Sequence, residues 1–226
     1  PSQLSHLPPL TLKENLPGLN PFTLASGKLA NHSSPFNYWI IDEPLSDDAI
    51  DEVYKTPIPS GEVIFDGTRA GDKSGKDLLS KLRVFIDQNN YTEFPYLKNL
   101  ISEMQSKECQ KLIEDMLNVN LTNSYVRVEV IADRDGFWLE PHCDIKEKLM
   151  SSIIFVNKYG EDENLGTDFY HPDLSIAKTI PYRNNYGYIF TAEKDSWHGL
   201  EKKKIKKERR CIQINYVTFK TDWPVE

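Results

Sequence analysis

Three short segments in the second half of the chain carry residue types suited to redox chemistry at a metal. They are Pro141-His142-Cys143-Asp144, Ser196-Trp197-His198-Gly199 and the doublet Arg209-Arg210. Two imidazoles and one carboxylate are the ligands that hold a mononuclear iron(II) on one face and leave the opposite positions open. Open positions are what dioxygen chemistry needs, for a chelating co-substrate and for O2 itself. Ligand softness also admits zinc or manganese, so a cupin-type isomerase or lyase is a second reading. A binding module that kept the same scaffold and lost turnover is a third. An arginine beyond the second histidine suits a carboxylate co-substrate, because a guanidinium binds it through two parallel hydrogen bonds.

Spacing sharpens these assignments. His142 and Asp144 stand at i and i+2, on the same side of an extended chain, and Cys143 between them turns away. The arginine doublet opens a β-like run, where adjacent side chains point to opposite faces. If Arg209 points inward, so do Cys211, Gln213 and Asn215; if Arg210 does, so do Ile212, Ile214 and Tyr216. A polar ligand inside a barrel favours the first set, so Arg209 is the expected inward residue and Arg210 the alternate. Tyr125, Ser152 and Cys211 are weaker candidates for binding the co-substrate, and Tyr125, Trp138, Glu140, Ser152 and Asn157 could line the cavity. His171 reads as a loop residue.

The elements that must position these groups follow from pattern. Phe36 to Ile41 reads as a strand. Ser46 ahead of Asp47 and Asp48 reads as an N-capped helix start. Residues 57 to 75 are rich in Pro and Gly and read as loop, and the stretches 57 to 95 and Lys158 to Asn164 are expected to cover the mouth. Helical spacing predicts helices over Pro95–Met104 and Lys107–Leu117. From about residue 122 the chain turns to short strands: Tyr125–Val130, Gly136–Glu140 after a turn at Asp133-Arg134-Asp135, Ser152–Val156, Gly166–Tyr170, Tyr186–Phe190 and Cys211–Val217. This pattern predicts an α+β chain with a mainly β core, a sandwich or jelly roll with N-terminal helices buttressing it. Its expected parts are an extended arm over 1–35, helical support over 36–121 and the β core over 122–219, all in one domain spanning 1–226.

Composition sets the outer limits. The chain has 226 residues, 39% of them hydrophobic and 11% aromatic, enough for a packed core. Its formal charge of −7 disfavours non-specific nucleic-acid binding. The one basic run, Lys202 to Arg210, reads as a solvated hairpin loop. No apolar run is long enough for a membrane span, and no signal peptide is visible. Three cysteines (Cys109, Cys143 and Cys211) without a CxxC pair suggest a reducing compartment, hence the cytoplasm. The arm could mediate a homodimer.

HxD, then His, then Arg opening the last core strand resembles the Fe(II)- and 2-oxoglutarate-dependent oxygenases. The likeness covers about residues 122 to 219. It is nearest to the prolyl-4-hydroxylase-like branch, through Ser196-Trp197-His198-Gly199 and the strand Arg209-Arg210-Cys211-Ile212-Gln213-Ile214-Asn215-Tyr216, with Cys211 where serine is usual. The resemblance implies a double-stranded β-helix with His142, Asp144 and His198 on iron(II) and Arg209 on the distal carboxylate of 2-oxoglutarate. It implies a reaction with O2 in which decarboxylation to succinate and CO2 is coupled to oxidation of a substrate, usually hydroxylation. The substrate class it leaves open runs from small molecules to peptidyl residues.

Overall fold

The computed structural model describes residues 28–58, 65, 67 and 82–226. Residues 1–27 of the expected arm, and most of the expected loop between 57 and 75, lie outside the described residues. In chain order the elements are β1 (Leu29–His32), β2 (Tyr38–Asp42), α1 (Asp47–Lys55), β3 (Arg83–Phe85), α2 (Pro95–Met104), α3 (Lys107–Leu117), β4 (Tyr125–Asp133) and β5 (Leu139–His142). They continue as β6 (Lys148–Val156), β7 (Thr167–Tyr170), β8 (Ile176–Ile180), β9 (Tyr186–Phe190), β10 (His198–Leu200), β11 (Arg209–Val217) and β12 (Trp223–Pro224).

The strands build two antiparallel sheets. The larger runs β1-β2-β9-β6-β11-β4-β12, with β3 also paired to β4; the smaller runs β5-β10-β7-β8. From β4 to β11 the chain passes back and forth between the sheets, with β7 and β8 a hairpin within the smaller one, and makes a mainly β, jelly-roll-like architecture. The last part of the expected arm is thus an edge strand, β1, paired with β2 of the same chain.

Local chemistry explains where the helices sit. The Ser46 hydroxyl accepts the Ala49 N–H at 3.1 Å and caps α1, with Asp47 and Asp48 in its first turn. Pro95 opens α2, where its missing N–H costs nothing. Ser106 caps α3 on the Cys109 N–H, and Asn118 ends it in a left-handed conformation, φ 54°. Leu97, Leu100, Ile101 and Leu112 share one core cluster with Val126, Val128, Ile154, Ile212, Ile214 and Tyr216 from one face of the large sheet. Each such buried aliphatic contributes about 1.5–3 kcal/mol of transfer free energy. A second, largely aromatic cluster fills the space between the sheets, around Phe155, Phe169, Tyr182, Tyr188 and Phe190.

Several boundaries moved. β4 runs on to Asp133, which the sequence places in a turn, because Asp133 is paired with Arg209 across the sheet. β5 begins at Leu139, not Gly136: Gly136, at φ 96°, belongs to the turn that the Phe137 N–H closes on the Arg134 carbonyl. Among the described residues, no helix is long and apolar enough to cross a membrane.

Candidate metal centre

A cavity of about 430 Å³ lies between the two sheets. His142 ends β5, Asp144 follows two residues on, and His198 opens β10 directly opposite His142 in the β5–β10 register. The imidazole centroids are 4.3 Å apart. Ligand atoms of His142, Asp144 and His198 all fall within 4.8 Å of one another, and their side chains are between 6% and 10% exposed.

Backbone carbonyls set the tautomers. Nδ1 of His142 lies 2.8 Å from the Glu140 carbonyl, and Nδ1 of His198 lies 2.8 Å from the Ser196 carbonyl. A carbonyl only accepts, so each Nδ1 donates and each Nε2 keeps its lone pair for the site. Both Nε2 atoms face Asp144 Oδ1, at 3.7 Å and 3.4 Å. Asp144 Oδ2 accepts a 2.5 Å hydrogen bond from the Ser151 hydroxyl, and Lys148 Nζ is 3.5 Å from Oδ1. Burial alone would raise the Asp144 carboxyl. His198, Lys148 and Ser151 outweigh that and hold it well below the usual carboxylate range. Two oriented imidazoles and an ionised carboxylate, each held by a further group, fit a divalent metal such as iron(II).

Close strand approach makes this possible. An added Cβ on Gly199 would lie 2.6 Å from the Leu139 carbonyl oxygen, so glycine beside His198 lets β10 come up against β5.

Arg209 lies at the inner wall of the cavity and is 6% exposed. Nη1 is 2.6 Å from Asp133 Oδ2, and Nε and Nη2 donate to the carbonyls of Leu165 and Gly166. Arg210 points the other way: it donates to the Val53 and Thr56 carbonyls at the end of α1 and pairs with Glu208 at 2.7 Å. Cys211 and Gln213 line the cavity beside Arg209, while Ile212 and Ile214 pack towards the helices. Burial pushes the Cys211 thiol up to about 12, against the opposing pull of Arg209. Thr167 and Tyr188, hydrogen-bonded to each other at 3.0 Å, also line the cavity.

The other weaker candidates fall elsewhere. Ser152 lies on the opposite face of β6, beside Leu45, Leu100 and Ile189; the cavity-side serine is Ser151. Among the described residues Tyr125 does not reach the cavity wall, and Trp138 stacks over Gly67. Asn157 donates to the carbonyls of Glu161 and Tyr182 and holds a turn. Glu140 contributes its backbone carbonyl to His142, a role independent of its side chain. The basic run is not a free loop. Glu161 accepts the backbone N–H groups of Lys206, Lys207 and Glu208, and both arginines are buried. Asp133, Thr167, Tyr188 and Ser151 are cavity residues that the sequence reading did not single out.

Comparison with known proteins decides what this architecture is. No family profile matches the sequence, and no curated protein matches it. Solved structures do match. A prolyl 4-hydroxylase from Phytophthora capsici superposes with a TM-score of 0.55 at 13% identity, over 82% of this chain and 60% of that one. A prolyl hydroxylase from Trichoplax adhaerens, in complex with a hypoxia inducible factor oxygen degradation domain peptide fragment, gives 0.53 at 14% identity over 95% of both chains. This is the 2-oxoglutarate oxygenase fold. A non-heme alpha-ketoglutarate-dependent carbocyclase from nogalamycin biosynthesis shares it, with a TM-score of 0.50 at 11% identity over 84% of this chain and 88% of that one. The chain spans about three-fifths of the Phytophthora protein. The oxygenase fold places the triad and the Arg209 wall in one cavity.

Proposed function

We propose that the chain is an Fe(II)- and 2-oxoglutarate-dependent oxygenase that hydroxylates a small-molecule or peptidyl substrate. The observation that carries this reading is the convergence of His142, Asp144 and His198 at one end of a cavity whose inner wall holds Arg209. His142 and His198 would offer Nε2 and Asp144 would offer Oδ1 to the metal. Arg209 would hold the distal carboxylate of 2-oxoglutarate, with the Thr167 and Tyr188 hydroxyls beside the chain of the co-substrate. The bound iron would supply the activation of O2 that couples decarboxylation of 2-oxoglutarate to substrate oxidation. Phe190 of the buried aromatic cluster forms part of the cavity wall, where it would limit the access of water. Hydroxylation is one outcome on this fold: the carbocyclase has the same architecture, and so does an epimerase from nogalamycin biosynthesis, with a TM-score of 0.50.

Anaerobic addition of Fe(II) and 2-oxoglutarate should produce a weak visible charge-transfer band, absent in His142→Ala. No band from the unmodified protein would overturn the reading. Arg209→Ala should raise the 2-oxoglutarate requirement far more than Arg210→Ala.

One observation favours the second reading, a metalloenzyme that uses no 2-oxoglutarate: Arg209 already has a carboxylate partner in Asp133. Succinate formation coupled to O2 uptake separates the two.

A further inference from the structure

The charges around the cavity do not balance, and the imbalance is local. Among the described residues, Arg83, Arg127, Lys148 and Arg209 line it on the cationic side and Glu129, Asp133 and Asp144 on the anionic side. Three pairs form: Arg83 with Glu129 at 2.6 Å, Arg209 with Asp133 at 2.6 Å, and Lys148 with Asp144 at 3.5 Å. Among the described residues, Arg127 is left without a carboxylate partner. Its guanidinium rests on the neutral Asn215 Oδ1, at 3.0 Å and 3.3 Å, and over the Phe219 ring at 5.4 Å.

The surplus lies beside the metal ligands. Asn215 pairs with Arg127 on β4 and with Ser151 on β6, and Ser151 holds Asp144. Lys148 reaches the same carboxylate. Coordination of a divalent metal commits Asp144 to the ion and takes away the carboxylate that Lys148 faces. The metal adds two positive charges and 2-oxoglutarate returns two negative ones, so the described wall keeps one net positive charge, on the side where Arg127 and Lys148 stand. A half-buried cation without a partner is costly, and an oxyanion relieves it. Arg83 Nε, buried with no hydrogen-bond partner among the described residues, leaves the wall further donor capacity. Ile145 and Phe219, 48% and 38% exposed, are apolar surface beside the same cations.

We propose that Arg127 and Lys148 form an oxyanion subsite beside the triad, and that the substrate is an organic acid whose carboxylate or phosphate docks there. Its apolar part then lies against Ile145 and Phe219. This inference rests on the oxygenase reading above.

The test uses the full chain loaded with Mn(II), which is paramagnetic and leaves 2-oxoglutarate intact. Relaxation of the 2-oxoglutarate protons reports whether metal and co-substrate bind. With both saturating, acetate protons and the phosphorus of inorganic phosphate are titrated. Saturable relaxation enhancement of either probe is expected, and the stronger one names the source of the anion. Arg127→Gln should weaken that probe at least fivefold, while 2-oxoglutarate relaxation stays as it was and so reports an intact fold; Lys148→Met should weaken the probe as well, compared at Mn(II) and 2-oxoglutarate levels that saturate that variant. Bound Mn(II) and 2-oxoglutarate with no saturable effect on either probe would overturn the subsite, as would unchanged affinity in the double variant. Failure of Mn(II) or 2-oxoglutarate to bind would instead overturn the oxygenase reading, and the subsite with it.

Discussion

Arg209 and Asp133 face each other across the β4–β11 pair, 2.6 Å apart, in a site where neither side chain is more than 8% exposed. Asp133 is thus an internal carboxylate on the guanidinium that a carboxylate co-substrate would use. The guanidinium stays charged without ligand, and an incoming carboxylate must share it.

Asp133→Asn should therefore separate stability from binding. Leaving one member of a buried ion pair alone costs about 3–5 kcal/mol. Thermal unfolding should show a lower Tm for the variant, and 2-oxoglutarate should raise that Tm more than it raises the unmodified protein's. A variant Tm indifferent to 2-oxoglutarate would remove Arg209 from the carboxylate site.

Ser151→Ala takes away the hydroxyl that fixes Asp144 Oδ2. Groups that orient metal ligands are worth about 10–100-fold in metal affinity. Chelator competition should show a loss in that range with little change in unfolding midpoint.

Gly199→Ala drives a methyl group against the Leu139 carbonyl oxygen, at 2.6 Å before relaxation. Overpacking of this kind costs about 1–3 kcal/mol. Denaturant unfolding should report that loss, and metal affinity should fall with it, because His198 precedes the displaced residue.

Glu161→Ala strips the acceptor from three consecutive N–H groups that lead into β11. Hydrogen bonds to a charged group contribute about 1.5–3 kcal/mol each, and only the buried Glu208 N–H has no ready route to water. A stability loss of about 2–4 kcal/mol is expected. Hydrogen exchange at residues 206–208 should accelerate before that of the central strands.

Alkaline pH should expose Cys211. Its thiol is pushed up to about 12 by burial, whereas an unfolded cysteine titrates near ~8.5. A group raised on folding contributes stability that is intact below the unfolded value and lost as pH rises towards the folded one. One such thiol costs about 2 kcal/mol between pH 8 and pH 10. Equilibrium unfolding at the two pH values should show that extra loss in the unmodified protein and not in Cys211→Ser. At pH 8 the native thiol should resist alkylation.

Much of this site can be read from the chain because strand periodicity is local. The doublet Arg209-Arg210 and the alternation behind it separate Cys211 and Gln213, which line the cavity, from Ile212 and Ile214, which meet the helices. Both later helices fall on the residues that their apolar spacing marks. The failures share another cause. β6 reads Leu149-Met150-Ser151-Ser152-Ile153-Ile154-Phe155, apolar on both faces, so nothing local says which serine points inward. Pairing of Asn215 with Ser151 decides it, and that contact is distant in sequence. Asp133 looks like a turn residue until Arg209 is placed opposite. The basic run looks solvated because its acceptor, Glu161, belongs to a different loop. β8 and β1 are short edge strands whose mixed composition carries no clear period.

The doublet also bears on how the chain can change length. A residue inserted between Arg210 and Cys211, with the rest of β11 held in register, carries Arg210 into the cavity and Arg209 out of it. A guanidinium still faces inward. The anchor on Val53 and Thr56 is what disappears. Two arginines in a row thus act as a spare frame: a slip of one residue leaves the charge in the cavity and moves the damage to the seam between strand and helix.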